Sequence, residues 1–342
     1  MAIFRRKEPF ADYRPLPPLR QRALAVVVNY NSGDRLGPLL DVLEPEVRQV
    51  IVVDNASKDG SQKPAQGRQN TLLIQNEKNR GFAAAVNQGA MLCTEQDDWI
   101  VLVNDDAHVR PGEMTTLLSD VPNECAVIAA LQVDFEDNKL NESGGYDPSL
   151  WRFMVWAFVP FSLHLWFGPW LAWPWPRKDK DLDWVSGAML AIRRSPYFEL
   201  GMLDERYWMY QEDADFCKKA RQAGYRVIHR PAVHLIHEVA QGSRERRILS
   251  GLRSVESLAL EFPGWRLRAL GWVLGIGFGL RALFAWGTRR GLAKECLPHC
   301  WALIRGNLPE RHLPPDADPG RSVGTMPTGL EAGRPADRSS SR

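Results

Sequence analysis

Apolar residues in this chain come in short unbroken runs, each closing on a polar cluster. Ala23–Asn29 (ALAVVVN) ends in YNSGD, Val47–Asp54 (VRQVIVVD) in NASKDGS, and Trp99–Val103 (WIVLV) in the acidic triplet NDD. Apolar runs of this length without alternation are the pattern of strands buried on both faces. Thr71–Gln75 is a further short strand, while Arg35–Leu43 and the Ala-rich Phe82–Cys93 carry helical spacing. Strand and helix therefore alternate, which predicts a doubly wound, mostly parallel sheet. Ligands of such sheets bind beyond the carboxyl ends of the strands, where the polar clusters fall.

The second half reads differently. Ala126–Asp134 and Trp184–Ile192 are expected strands or turn-strands, and Gly144–Pro176 a loop-rich, tryptophan-rich stretch. Asp213–Ala223 is a helix with Phe216, Cys217 and Ala220 on one face, stopped at Gly224. Tyr225–His229 and Pro231–His237 read as two more strand-like segments, and helix is expected beyond Arg244. From about Leu313 the tail is Pro, Gly, Ser and charge, a composition that stays disordered. The expected division is an N-terminal extension 1–22, a catalytic domain 23–245, a helical basic and apolar region 246–312, and a disordered tail 313–342.

Composition changes this picture little. The 342 residues are 44% hydrophobic and 25% charged, an ordinary globular balance. Five scattered cysteines without a CxxC pair fit reduced thiols better than a disulfide framework. The first twenty residues show no apolar signal core. Charge is more informative. The net is +2, yet Arg244–Lys294 holds ten basic residues against three acidic ones. A basic, apolar segment on a near-neutral chain points to an anionic membrane surface and not to nucleic acid.

Five clusters carry candidate chemistry. Asn104, Asp105 and Asp106 end a buried strand, where clustered oxygen donors suit a hard divalent cation such as Mg²⁺ or Mn²⁺; a solvated turn is the plain alternative. Asp54 and Ser57 end another strand, beside Asn29 and Tyr30, with groups that suit ribose hydroxyls and a stacked base; ordinary turn bonding is the competing account. Arg80 precedes a helix N-terminus, a setting for a diphosphate. Glu212 and Asp213 open a helix after the aromatic run Tyr207-Trp208-Met209-Tyr210, where partial desolvation suits a general base and the helix dipole offers the bland explanation. His237, near a strand end, is the better placed of His234 and His237 to share a cation with Asp106. Neither GxGxxG nor GxxxxGK[ST] occurs, and Cys296, His299 and Cys300 lack the second pair a metal site needs.

Taken in order, VVVNYNSGDRL, IVVDNASKDGS, NEKNRGFAAAVNQG, VLVNDDAHVRPG, WVSGAMLAIRR and YWMYQEDADFCKKARQAGYRV resemble glycosyltransferase family 2, nearest its rhamnosyltransferase-like branch, over about residues 23–245. The resemblance implies a GT-A fold, which is Rossmann-like and doubly wound, a nucleotide-sugar donor (dTDP- or UDP-linked), a divalent metal and inversion at the anomeric centre. It implies that Asn29, Tyr30, Asp54, Ser57 and Arg80 hold the nucleotide, and that Asn104 and Asp106 match the ends of a D-x-D motif. Asp105 stands where the family commonly has Pro, and His237 matches a His able to complete the metal site. Asp213 is the implied base, with Glu212 supporting it, and Trp184, Ser186, Gly187 and Ala188 are implied to line the acceptor and donor-sugar pocket.

Trp151–Pro176 is too broken by proline to span a bilayer. Ala269–Gly287 carries one charge, Arg281, and several glycines that weaken a soluble helix; it is expected to lie on an anionic leaflet or to span marginally. The resulting expectation is a transferase on the cytoplasmic face of the inner membrane, moving a sugar, rhamnose by the branch resemblance, to a cell-surface glycan or its lipid carrier. Other donors, such as a UDP-hexose or UDP-galactofuranose, remain open. A sugar nucleotidyltransferase would need a glycine-rich, Lys-containing loop after the first strand, and a catalytically silent glycan-binding protein would not need Asp106, Asp213 and His237 together.

Overall fold

The structure, a computed structural model, describes residues 22–133, 143–147, 149–158, 178–237, 254–255, 257–262, 264–284 and 288–307. The expected tail, the N-terminal extension up to residue 21 and the segments 159–177 and 238–253 lie outside the described residues.

The apolar runs form strands as their pattern predicts. β1 (Ala23–Asn29), β2 (Gln49–Asp54), β3 (Thr71–Gln75) and β4 (Trp99–Asn104) pair in parallel in the order β3-β2-β1-β4. The sheet continues through β10 (Met189–Arg193), antiparallel to both neighbours, to β6 (Cys125–Val133) and β11 (Arg226–His237), with the two-residue strands β5 (Ala107–His108) and β8 (Lys180–Asp181) on β11. Among the described residues the result is a nine-stranded mixed sheet, mostly parallel, with a small separate ribbon of β7 (Gly144–Gly145) and β9 (Trp184–Val185).

Alternate residues of β1 feed two cores. Ala23, Ala25 and Val27 meet α1 (Leu36–Leu43) and α3 (Glu113–Leu118), while Leu24, Val26 and Val28 meet α2 (Phe82–Ala90), α5 (Arg194–Glu199) and α6 (Glu212–Gln222). Helices thus cover both faces of the sheet, each buried Val or Leu contributing about 1.5–3 kcal/mol. α2 lies close because Gly89 has no side chain: a Cβ there would sit 2.6 Å from Val26 Cγ1.

Two sequence expectations change. The segments expected over 225–229 and 231–237 run together as one strand, β11, with a register shift between Arg230 and His234. The loop-rich stretch from Gly144 also contains a helix that was not expected, α4 (Leu150–Phe158). Phe153 of α4 then joins a third core with the helical residues 254–255 and 257–260, α7 (Trp265–Phe284) and α8 (Thr288–Ile304). The helical unit therefore draws one element from inside the first 245 residues.

The glycines of α7 also read differently in three dimensions. A Cβ on Gly271 would meet the backbone N of Ile304 at 2.6 Å and the carbonyl O of Cys300 at 2.8 Å, and one on Gly275 would touch Cys300. They permit close approach to α8 rather than weakening the helix. Among the described residues no helix is long and apolar enough to cross a membrane.

Candidate functional site

The strand order brings three polar ends side by side. Asn29 is in register with Asp54, and Val28 with Asn104. Asn29 is fully buried, and its amide donates to Asp54 Oδ1 (2.7 Å), Ser57 Oγ (3.0 Å) and Ser61 Oγ (3.0 Å), while its Oδ1 accepts from Ser32. Ser57 Oγ also accepts the Asn31 N–H at 3.0 Å, and the Lys58 N–H reaches Asn31 Oδ1 at 2.9 Å. Asn29, Asp54 and Ser57 are thus engaged in stitching the loops after β1 and β2 together. Asn31 and Ala56 hold positive φ (52° and 70°) in those loops, a conformation that costs a non-glycine residue energy and clusters at ligand sites.

Tyr30 joins this floor to the next strand end. Its backbone N–H donates to Asp105 Oδ2 at 3.2 Å. Asp105 therefore braces the β1 loop, while Asn104 and Asp106 flank it, all three half-buried. Their oxygen donors are of the kind a hard divalent cation takes. Among the described residues no three His, Cys, Asp or Glu side chains gather as a complete cage.

A second link had no sequence signal beyond the polar residue types. Asn55, buried, donates to Asn79 Oδ1 (2.9 Å) and the Gly81 carbonyl (3.1 Å) and accepts the Arg80 N–H at 3.0 Å. This positions Arg80 at the start of α2, half-buried, with no ion pair for its guanidinium among the described residues. Gly81 has φ +83°, and a Cβ on it would lie 2.9 Å from the Trp208 carbonyl and 3.0 Å from the indole. The Phe82 N–H donates to that same carbonyl at 2.8 Å, so the start of α2 abuts the aromatic run that precedes Glu212.

That run reaches α6 through consecutive left-handed residues, Tyr210 (φ 71°) and Gln211 (φ 72°). The kink delivers two carboxylates into different surroundings. Glu212 is 5% exposed, and among the described residues its Oε2 has no hydrogen-bond partner. Burial, reinforced by the charge of Asp213, raises its proton affinity well above the usual carboxylate range. Asp213 is half-buried, and its Oδ2 accepts the Gly187 N–H at 2.8 Å and its Oδ1 the Ala214 N–H at 2.8 Å. Burial raises its proton affinity too, against these two bonds.

Ser186, Gly187 and Ala188 form the turn between β9 and β10. The Ala188 carbonyl accepts the Asn104 N–H at 3.0 Å, one residue from the bond to Asp213. The turn itself is held by the Ser186 N–H on the Ser143 carbonyl at 2.9 Å, and Trp184 beside it donates its indole N–H to the Tyr146 carbonyl at 3.1 Å. On the other flank, β11 pairs with β5 so that His237 lies opposite Ala107, the residue after Asp106; the His237 side chain is outside the described residues. His234 is exposed, and its N–H reaches Glu113 at 3.3 Å.

Beneath the kinked loop lies a support that sequence reading missed. Ser257 Oγ donates to the Met209 carbonyl at 2.8 Å, and Glu261 accepts from Tyr207 Oη (2.6 Å) and Lys218 Nζ (2.7 Å). The helical unit is thereby tied to the segment carrying Glu212 and Asp213.

A mixed, mostly parallel α/β sheet whose polar strand ends are linked through the turn 186–188 to a Glu–Asp pair is that of a glycosyltransferase when set beside known proteins. Residues 24–170 match the family model described as Glycosyl transferase family 2, and relatives of the chain include rhamnosyltransferases. It is 29% identical over 287 residues to the N-acetylglucosaminyl-diphospho-decaprenol L-rhamnosyltransferase of Mycobacterium tuberculosis, covering 75% of this chain and 90% of that protein. It is 26% identical over 152 residues to Rhamnosyltransferase WbbL of Escherichia coli K12, covering 43% of this chain and 55% of that one. Among solved structures, GalNAc-T7 with UDP, GalNAc and Mn2+ aligns at a TM-score of 0.49 and 13% identity, over 83% of this chain and 56% of that chain.

Proposed function

We propose that this glycosyltransferase is an inverting, metal-dependent enzyme that moves rhamnose from a dTDP- or UDP-linked donor to a hydroxyl of a lipid-linked saccharide at the cytoplasmic face of the inner membrane. The observation that carries the mechanism is the turn 186–188, which bonds Asp213 through Gly187 and Asn104 through Ala188. It supports a single cleft in which a proton acceptor and the strand-end acids work on one substrate.

The acceptor O–H gives its proton to Asp213 while its oxygen bonds to the anomeric carbon from the face opposite the leaving group. The bond from that carbon to the diphosphate oxygen breaks, and the electron pair leaves with the nucleotide diphosphate. One displacement inverts the centre, so no covalent sugar–enzyme species forms and one carboxylate suffices, in contrast to retaining hydrolases. Asp213 is the reading for the base because it is only half-buried and is oriented by two N–H donors, whereas Glu212 is buried, 5% exposed. Arg80 balances charge gathering on the diphosphate. Asp106, with Asn104 and His237, would hold a divalent cation, which supplies Lewis-acid stabilisation of the leaving diphosphate. Asn29, Asp54 and Ser57 keep the nucleoside floor in shape, with Tyr30 beside the base, and Trp184 to Ala188 line the sugar side.

The rhamnose and lipid-carrier parts rest on the names of the relatives and on the basic helical region. The test is a panel of nucleotide sugars assayed for release of nucleotide diphosphate with and without Mn²⁺, using the Asp213→Asn variant as control and NMR of the product for its anomeric configuration. Release that is metal-independent, undiminished in the variant, or yields a retained product would overturn the corresponding part.

A further inference from the structure

α7 is apolar on two opposite sides. Its inner side, Leu267, Leu270 and Leu274 with Gly271 between them, is buried in the third core against α4 and α8. Its outer side carries Trp265 (73% exposed), Trp272 (57%), Ile276 (41%) and Leu283 (72%). At 100° per residue these four fall within about 20° of a single line along the helix, roughly 27 Å long at 1.5 Å per residue. Between Arg268 and Arg281 that helix has no charged residue. A helix whose outer face met only water would place polar residues there.

The Trp265 end of the line is basic. Arg266 and Arg268 follow Trp265, and Arg268 lies beside Gly306, next to Arg305, whose guanidinium stacks on the exposed Trp301 at 4.9 Å. None of these three arginines forms an ion pair among the described residues. Trp151 on α4 is exposed as well. Tryptophan over an apolar line, with unpaired arginines at its end, matches the headgroup layer of a bilayer: rings at the interface, guanidiniums on phosphates.

We propose that the Trp265–Trp272–Ile276–Leu283 line of α7 docks flat on an anionic phospholipid surface, with Arg266, Arg268 and Arg305 on the headgroups. The proposal deepens the lipid-linked acceptor reading by naming the face that meets the membrane, and rests on that reading only for its purpose. The basic end of the line is linked to the site: Trp265 stands four residues after Glu261, which bonds Tyr207 in the loop before Glu212 and Asp213. An acceptor sugar on a lipid carrier would thus be presented beside Asp213.

The test uses the purified full chain with vesicles of phosphatidylcholine alone or with 30% phosphatidylglycerol. Co-sedimentation is expected to be at least about tenfold stronger with the anionic vesicles and to weaken as salt rises. Brominated lipids should quench the tryptophan fluorescence of the unaltered protein. The Trp272→Ser/Ile276→Ser double variant should lose about tenfold or more in vesicle affinity while still releasing nucleotide diphosphate from a soluble donor. Equal or absent binding to both vesicles, no quenching, or a variant that dissociates a stable dimer without changing vesicle binding would overturn the proposal, the last by showing that a second copy covers the line. Docking lost while donor turnover persists leaves the glycosyl-transfer reading intact; turnover absent with docking intact sinks that reading alone.

Discussion

The backbone N–H of Gly187 donates to Oδ2 of Asp213 across 2.8 Å. This single bond fixes the carboxylate that opens α6 to the turn that also holds Asn104. Asp213→Asn keeps an acceptor for that N–H, so the fold should survive while the proton acceptor is lost. A fall in kcat of roughly 10²–10⁴, with little change in KM, is expected; steady-state kinetics with circular dichroism as the folding control checks it.

The pH profile follows from burial. Asp213 must be ionised to take a proton, and desolvation raises its proton affinity above that of an ordinary aspartate. The acid limb of kcat/KM should therefore rise with pH and lie above the range of a solvated carboxylate. A limb at or below that range would remove Asp213 from the role.

Glu212 makes a stability prediction of definite sign. Its folded-state proton affinity is raised, by burial first and by Asp213 second, so its contribution is complete below the ordinary Glu range and fades as pH rises toward the folded value. Glu212→Gln is neutral at every pH. It should match the wild type near pH 4 and melt higher near pH 8, by roughly 2–4 °C for each kcal/mol relieved, while activity falls, as is common where a strained site is relaxed. Thermal unfolding at the two pH values decides.

Arg80 should act on the diphosphate and not on the base. Arg80→Ala is expected to weaken nucleotide diphosphate binding about 10- to 100-fold, the ~1.5–3 kcal/mol of a hydrogen bond to a charged group, and to leave nucleoside binding nearly unchanged. Calorimetry with both ligands separates the two.

Two glycine pairs test close approach. Gly81→Ala adds a clash with Trp208 to the strain of φ +83°, whereas Gly67→Ala, at φ +74° with open space, adds strain alone; the first should cost about 1–3 kcal/mol more in urea unfolding. In α7, Gly271→Ala should destabilise by a similar amount against α8, while Gly279→Ala, with nothing within 4 Å, should stabilise by up to about 1 kcal/mol.

The first half of the fold was legible because strands buried on both faces must be apolar throughout: ALAVVVN, QVIVVD and WIVLVN announce themselves and their polar ends. The acids of NDD and QED were visible as residue types with chemical capacity. Burial on one side or the other was not visible, because it depends on partners far along the chain. The residue type of Asn29 shows a capacity to hydrogen-bond but not its bonds to Ser57 and Ser61, and Asn55 gives no sign of Asn79. Glycines in α7 suggest a poor helix until α8 lies against them, and the same helix hides which of its two apolar sides faces outward. Local pattern sets which segments become strand or helix, since backbone pairing and side-chain period are short-range. Which carboxylate is sealed, which is aimed by an N–H, and which tryptophans stay outside depend on long-range packing, where residues more than a hundred positions apart share one set of contacts.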